Sequence, residues 1–253
     1  MNKIFKNEFH KIVKDVYPSY YVKNKIDAEI QNHGKKGDFQ MKKRRIVLVA
    51  CLALFLSVGV YGGGKITSSK ISSLSNYTYT TFSDVEKAEK KTGIDANIPK
   101  DLGNYTFDGI TVANVSDFDD SGNEMNKRKN IIVTYKNSSN EIIDLYVDKI
   151  FDNQTPLSEQ KFQETRTSNG VNFYYTKLET LFLGDGSQLT KEEQRRMEED
   201  PFYNVAYGSP DQEREVSISK HLSFETNGVS YSILANENVQ KEELFEMGAH
   251  FFQ

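Results

Sequence analysis

Residues Ile46–Tyr61 read IVLVACLALFLSVGVY, preceded by Met41-Lys42-Lys43-Arg44-Arg45 and followed by Gly62-Gly63-Gly64. These sixteen residues carry no charge, and with the glycines the uncharged run reaches nineteen. A helix needs roughly 20 mostly apolar residues to cross a ~30 Å hydrocarbon core, and Arg45 and Lys65 can snorkel outward from its ends. Four consecutive basic residues on one flank, against Lys65 alone on the other, predict a cytoplasmic N-terminus. The chain then divides into a basic cytoplasmic arm over 1–45, a transmembrane helix over 46–64, a Ser/Thr-rich stalk over 65–81 and an extracellular domain over 82–253. The expected class is α+β: a helical arm, one membrane span, and a mostly antiparallel extracellular sheet with N- and C-terminal helices. The expected location is the cell membrane, single-pass.

Two other readings of the apolar run are weaker. A signal peptide starting at Met41 has the same basic and apolar regions, but no A-x-A-like cleavage site follows. Leu48-Val49-Ala50-Cys51 spells a lipobox, yet ten apolar residues follow it, so Cys51 reads as a small buried hydrophobe.

Composition bounds the rest. The arm holds twelve Lys/Arg and five Asp/Glu, a net of +7, so the whole-chain value of −4 leaves −11 for residues 65–253. An acidic exterior argues against nucleic acid as a partner there. The only cysteine is Cys51, so the exterior fold uses no disulfide; fourteen Tyr and sixteen Phe suit an aromatic-rich β core.

In the arm, Phe5, Phe9, Ile12 and Val16 fall on one stripe of a helix that Pro18 ends, and Val22, Ile26 and Ile30 repeat the pattern. Short helices with bare apolar stripes are marginal alone. These seven residues are the candidate partner-binding set. A charged tether attracted to anionic lipid is the plainer alternative.

Beyond the stalk, Ser83-Asp84-Val85-Glu86 spells a capping box opening a helix to about Thr92, with Gly93 as its stop. Residues Ile98–Gly103 lead into strands. Tyr105–Phe107 and Ile110–Val112 flank Asp108-Gly109, while Ile131–Tyr135 and Ile142–Phe151 flank Asn137–Asn140. Asn169-Gly170 and Asn227-Gly228 each join two strand patterns, and Asn-Gly supplies the two positive-φ residues of a type I′ hairpin. In the last hairpin Val216, Ile218, Leu222 and Phe224 alternate with Ser217, Ser219, His221 and Ser223, which predicts one buried face and one wet face. Thr190-Lys191-Glu192-Glu193 is a second capping box, on a charged helix that Pro201 ends. In Gln240–Phe252 the residues Leu244, Met247 or Gly248, and Phe251 form a stripe suited to packing on the sheet.

Candidate chemistry is sparse. Asp117–Gly122 begins like a calcium loop, but the Glu required at position 12 is Arg128, so an acidic turn is the better reading. Of the four histidines only His221 and His250 lie in the exterior part, and both read as surface residues. There is no G-x-S-x-G elbow and no exterior cysteine. No catalytic, cofactor or metal residues are assigned, and the expectation is a protein that is not an enzyme.

The stretches Ile98–Gly103, Leu189–Glu193, Val205–Ser209, Phe224–Tyr231 and Lys241–Gly248 together resemble a domain of unknown function common in single-span membrane proteins of low-GC, Clostridia-like bacteria. In that family a Trp often stands near the position of Phe224. The order of arm, span and exterior domain is similar to membrane-bound anti-sigma factors, without the zinc-binding His/Cys set. This resemblance implies a membrane-anchored sensor or regulator that holds a sigma factor through the arm and reads an unknown extracellular ligand. The alternative is an anchored envelope structural or interaction protein whose arm is only a charged tether.

Overall fold

The computed structural model describes residues 68–252, apart from 74–75, 120–122, 153, 185 and 209–211. Its framework is a ten-stranded sheet. The strands are β1 (Ser68–Ser72), β2 (Asp101–Leu102), β3 (Tyr105–Phe118), β4 (Glu124–Lys136), β5 (Ile142–Lys149), β6 (Glu164–Ser168), β7 (Val171–Gly184), β8 (Tyr203–Gly208), β9 (Glu215–Thr226) and β10 (Val229–Asn236). The order across the sheet is β1-β3-β4-β5-β10-β9-β7-β6, with β2 beside β3 and β8 beside β7. Pairing is antiparallel throughout except between β7 and β8. The helices are short: α1 (Val85–Thr92), α2 (Lys191–Glu199) and α3 (Lys241–His250).

Three expectations are corrected here. The described fold is mostly antiparallel sheet with three helices of eight, nine and ten residues, not an α+β chain built around an arm and a spanning helix. At 1.5 Å per residue such helices cover about 12–15 Å, half of a hydrocarbon core. No helix among the described residues is long and apolar enough to cross a membrane. The placement as a single-pass membrane protein, with cytoplasmic N-terminus and extracellular domain, is corrected on that finding and is not carried further. The residues expected to form the arm and the span, 1–45 and 46–64, lie outside the described residues. Within the stretch read as a stalk, Ser68–Ser72 forms β1, registered on β3 with Ile71 opposite Val115.

Local chemistry explains most of the elements. Both Asn-Gly pairs take positive φ, 51° and 77° at Asn169-Gly170 and 52° and 76° at Asn227-Gly228, closing the β6–β7 and β9–β10 hairpins. Gly93 ends α1 at φ 68°. At α2 the Thr190 hydroxyl accepts from Glu193 N while the Glu193 carboxylate accepts from Thr190 N, so the capping box forms. The box at Ser83 does not: Asp84 takes the cap position, held by Thr81 Oγ1 and Lys87 Nζ at 2.6 Å each. Asp108-Gly109 is not a turn. It is a bulge inside the 14-residue β3, where the register on β4 slips by one residue. The Tyr77 ring fills the space that a Gly109 Cβ would need, and its hydroxyl donates to Asp108 Oδ2 at 2.6 Å.

The period of two gives the sheet two faces. One, the aromatic face, carries Ile131, Val133, Ile143, Leu145, Val147, Phe173, Leu222, Phe224, Tyr231 and Ile233, all buried. Helix α1 packs there against β3 and β4, and α3 against β7 and β9. Phe224 is its centre, stacked on Tyr231 at 4.9 Å and edge-on to Phe251 at 5.0 Å. The α3 stripe Leu244, Met247 and Phe251 is buried as its spacing predicts.

Candidate functional site: the polar face of the sheet

The opposite face is the one expected to be wet, yet many of its side chains are buried, with Tyr174, Ser217, Glu225, Ser230 and Ser232 half-buried among them. Strand pairing lays its side chains out in rows. One row runs Thr134, Asp144, Leu234, His221, Thr176 across β4, β5, β10, β9 and β7. The next runs Ile132, Tyr146, Ser232, Ser223, Tyr174, and a third Asp148, Ser230, Glu225. His221 is 1% exposed, Thr176 2% and Thr180 1%. Ala113, Ile132, Tyr146 and Leu234 form a small apolar island among them.

Topology accounts for part of this cover. The chain leaves β5 in mid-sheet and must reach β6 at the edge, passing β10, β9 and β7. The described residues between 150 and 163 make that crossing over the polar face. Phe151 lies on the Arg128 guanidinium at 5.0 Å, a single 3-10 turn at Leu157–Glu159 rests on β9, and Phe162 packs on Tyr174 at 4.7 Å.

At one end of the face sits an ion network. Arg128 Nε donates to both oxygens of Asp148 at 2.9 and 2.8 Å, and Nη1 donates to Asp117 Oδ2 at 2.6 Å. Asp117, fully buried, also accepts from Ser69 of β1. Burial alone lowers the Arg128 pKa, but its two carboxylates outweigh that and hold it above the ordinary value. Burial lifts the Asp148 carboxyl despite the pull of Arg128. Arg128, which breaks the calcium-loop pattern, is thus the partner of that pattern's first acid. The turn beyond closes on Asp119, whose carboxylate accepts from Asn123 N at 2.7 Å.

Towards the other end Ser219 Oγ and His221 Nε2 lie 2.9 Å apart. Burial pushes the His221 pKa down to about 3, so the ring is neutral at ordinary pH. A serine beside a histidine suggests nucleophilic catalysis. A base whose pKa is near 3 is far too weak for that work near neutrality, where a catalytic base is tuned close to the operating pH. His250, by contrast, is exposed on α3 as expected.

The polar face also carries groups without partners. Among the described residues Asn130 Oδ1, Thr176 Oγ1, Thr180 Oγ1 and Glu225 Oε1 are buried and make no hydrogen bond. Burial raises the Glu225 carboxyl above its ordinary range. Also among the described residues, no group of three His, Cys, Asp or Glu side chains could hold a metal ion.

The candidate partner-binding residues Phe5, Phe9, Ile12, Val16, Val22, Ile26 and Ile30 lie outside the described residues. The polar-face set was not singled out from sequence, although its signal is present. Ile131-Ile132-Val133 and Leu145-Tyr146-Val147 are unbroken apolar runs, the mark of strands covered on both faces. Comparison with protein-family models, with curated proteins and with solved structures gave no match.

Proposed function

We propose that the chain is a non-enzymatic sensor or regulator whose sheet domain takes a polar ligand on its polar face. The observation supporting this is the set of four unpartnered buried polar atoms on that one face. In folded proteins roughly 90% or more of buried polar groups are paired, and leaving one unpaired costs about 1–3 kcal/mol. Unpaired buried groups concentrate at functional or strained sites, and a bound polar ligand is one way to satisfy them. The histidine is neutral and the only cation of the network is held by two carboxylates, so the face is suited to recognition rather than to proton transfer.

The output side of this reading is the arm. Its stripes Phe5/Phe9/Ile12/Val16 and Val22/Ile26/Ile30 are proposed to dock into a groove of a transcription regulator of the sigma-factor kind. A net charge of +7 on residues 1–45 would speed encounter with an acidic partner. The test is paired. A thermal-shift screen of the full chain against small polar metabolites should return a saturable binder that Thr176→Val or Thr180→Val abolishes. A pull-down should recover a sigma factor that Phe9→Asp with Ile26→Asp releases. A screen in which every hit binds the Thr→Val variants as tightly as wild type would refute the ligand half, and a pull-down indifferent to the Asp variants would refute the output half.

A further inference from the structure

We infer that α2 is a lid held on the sheet by ion pairs, which lifts as ionic strength rises and uncovers a small apolar cluster on β7 and β8. This device is independent of the polar face and of the ligand proposed there.

The cluster stands apart from the main core. Leu181, Leu183 and Tyr203 are buried together, with Leu189 and Val205 packed against them. They share the aromatic face at the end of the sheet, where Glu179, Leu181 and Leu183 of β7 lie opposite Tyr203, Val205 and Tyr207 of β8. Apolar surface continues at the margin: Tyr207 is 41% exposed, and Val216, opposite Leu181 on β9, is 53% exposed. Helix α2 packs against β8 without burying a side chain of its own. Of its nine residues only Glu193 and Arg196 are even half-buried, and its one apolar side chain, Met197, is exposed.

Charge is what holds the helix down. Arg196 Nη1 donates to Glu179 Oε1 at 2.8 Å, and the same guanidinium lies 4.0 Å from the centre of the Tyr203 ring. Arg214, just before β9, pairs with Glu193 and donates to Gln188 O at 3.0 Å. The four charged side chains are between 19% and 44% exposed, so dissolved ions reach both pairs and screen them. Salt does not screen apolar burial, so the sign of the response tells the two kinds of attachment apart. The helix also carries stabilisation of its own. Its capping box closes on Thr190, and Arg195 bridges Glu192 and Glu199 at 2.6 Å each. Gly186, at φ 85° with open space where a side chain would stand, gives the leading connection a hinge. Segments that bury little apolar surface are the ones that open locally, ahead of global unfolding.

The test measures lid opening by thiol labelling with iodoacetamide, a neutral reagent, on the full chain carrying Cys51→Ser. Leu183→Cys places a thiol beneath the lid, and Leu145→Cys places one in the main core, where Leu145 is fully buried. Position 183 should label about tenfold faster than position 145, and about threefold faster again at ~1 M than at ~0.05 M potassium chloride, with no acceleration at 145. Glu179→Gln with Arg214→Gln should speed labelling at 183 about fivefold at low salt and remove most of its salt response, leaving 145 unchanged. Leu181→Cys is a second thiol under the lid, so a local effect of one substitution is told from opening, and it should show the same salt response. Equal labelling of core and cluster, labelling of the cluster that salt slows or leaves unchanged, or a double variant that labels like its parent overturns the proposal. A salt response at 183 that is absent at 181 overturns it as well.

Discussion

Acid should destabilise this fold through one residue. His221 is neutral in the folded state because burial depresses its pKa from 6.5 to about 3, whereas in the unfolded chain it titrates near the ordinary value. A base with a depressed folded pKa contributes stability that is fully present above the unfolded pKa and is lost as pH falls toward the folded one. Below about pH 6.5 the unfolded chain takes up a proton that the folded chain refuses. At about pH 5 the unfolded histidine is 1.5 units below its pKa, and at 1.36 kcal/mol per unit the loss is about 2 kcal/mol. Asp148 and Glu225 act in the opposite sense: their pKa values are raised, so acid relieves the cost of burying their charges. Comparison with His221→Gln removes that background, since both proteins share it, and Gln can keep a hydrogen bond to Ser219. Urea unfolding followed by circular dichroism at about pH 7.5 and pH 5 should show wild type losing about 2 kcal/mol more than His221→Gln between the two conditions. Parallel pH dependence in the two proteins would show that His221 is hydrated and that the face is not buried as described.

Other substitutions probe single contacts. Gly248 of α3 lies so close to the sheet that an added Cβ would stand 2.7 Å from Leu222 Cδ2 and 2.8 Å from Phe173, so Gly248→Ala should cost about 1–3 kcal/mol of unfolding free energy despite its better helix propensity. A cost below about 0.5 kcal/mol would mean that the helix simply moves out. Gly228→Val places a β-branched residue at φ 76° and should lower stability by more than about 1 kcal/mol, read as a shift in the urea midpoint. Arg128→Met strands the fully buried Asp117 and should cost about 3 kcal/mol or more, with Arg128→Lys recovering only part because one ammonium cannot reproduce the fork to two carboxylates. An Arg128→Met protein as stable as wild type would show the network to be solvated.

The sequence made the hairpins, α3 and the α2 cap legible because each is written in a few adjacent residues. Asn227-Gly228 needs only its own positive φ, and Thr190 with Glu193 needs only one helical turn. Long-range placement was not legible. Asp108-Gly109 has the letters of a turn, but pairing of β3 along β4 turns it into a bulge. Ser68–Ser72 looks like a polar linker because its partner, β3, lies more than forty residues away. His221 among serines reads as a wet strand face, since alternation in one strand cannot reveal that a crossing segment from elsewhere in the chain covers that side. The apolar second faces of β4 and β5 were the available clue, and Ile132 and Tyr146 carried it. Nothing local marks Thr176 and Thr180 as unpartnered, because that depends on which hydroxyls face them across β9.

The most direct test of the polar-face account is the unfolding free energy of the ligand-free Thr176→Val, Thr180→Val double variant. Each substitution keeps the shape and removes an unpaired buried hydroxyl, so the account predicts a gain of about 1–2 kcal/mol in total over wild type. A loss of about 1 kcal/mol or more per substitution would mean that both hydroxyls are already paired in the ligand-free protein, and the account would be contradicted.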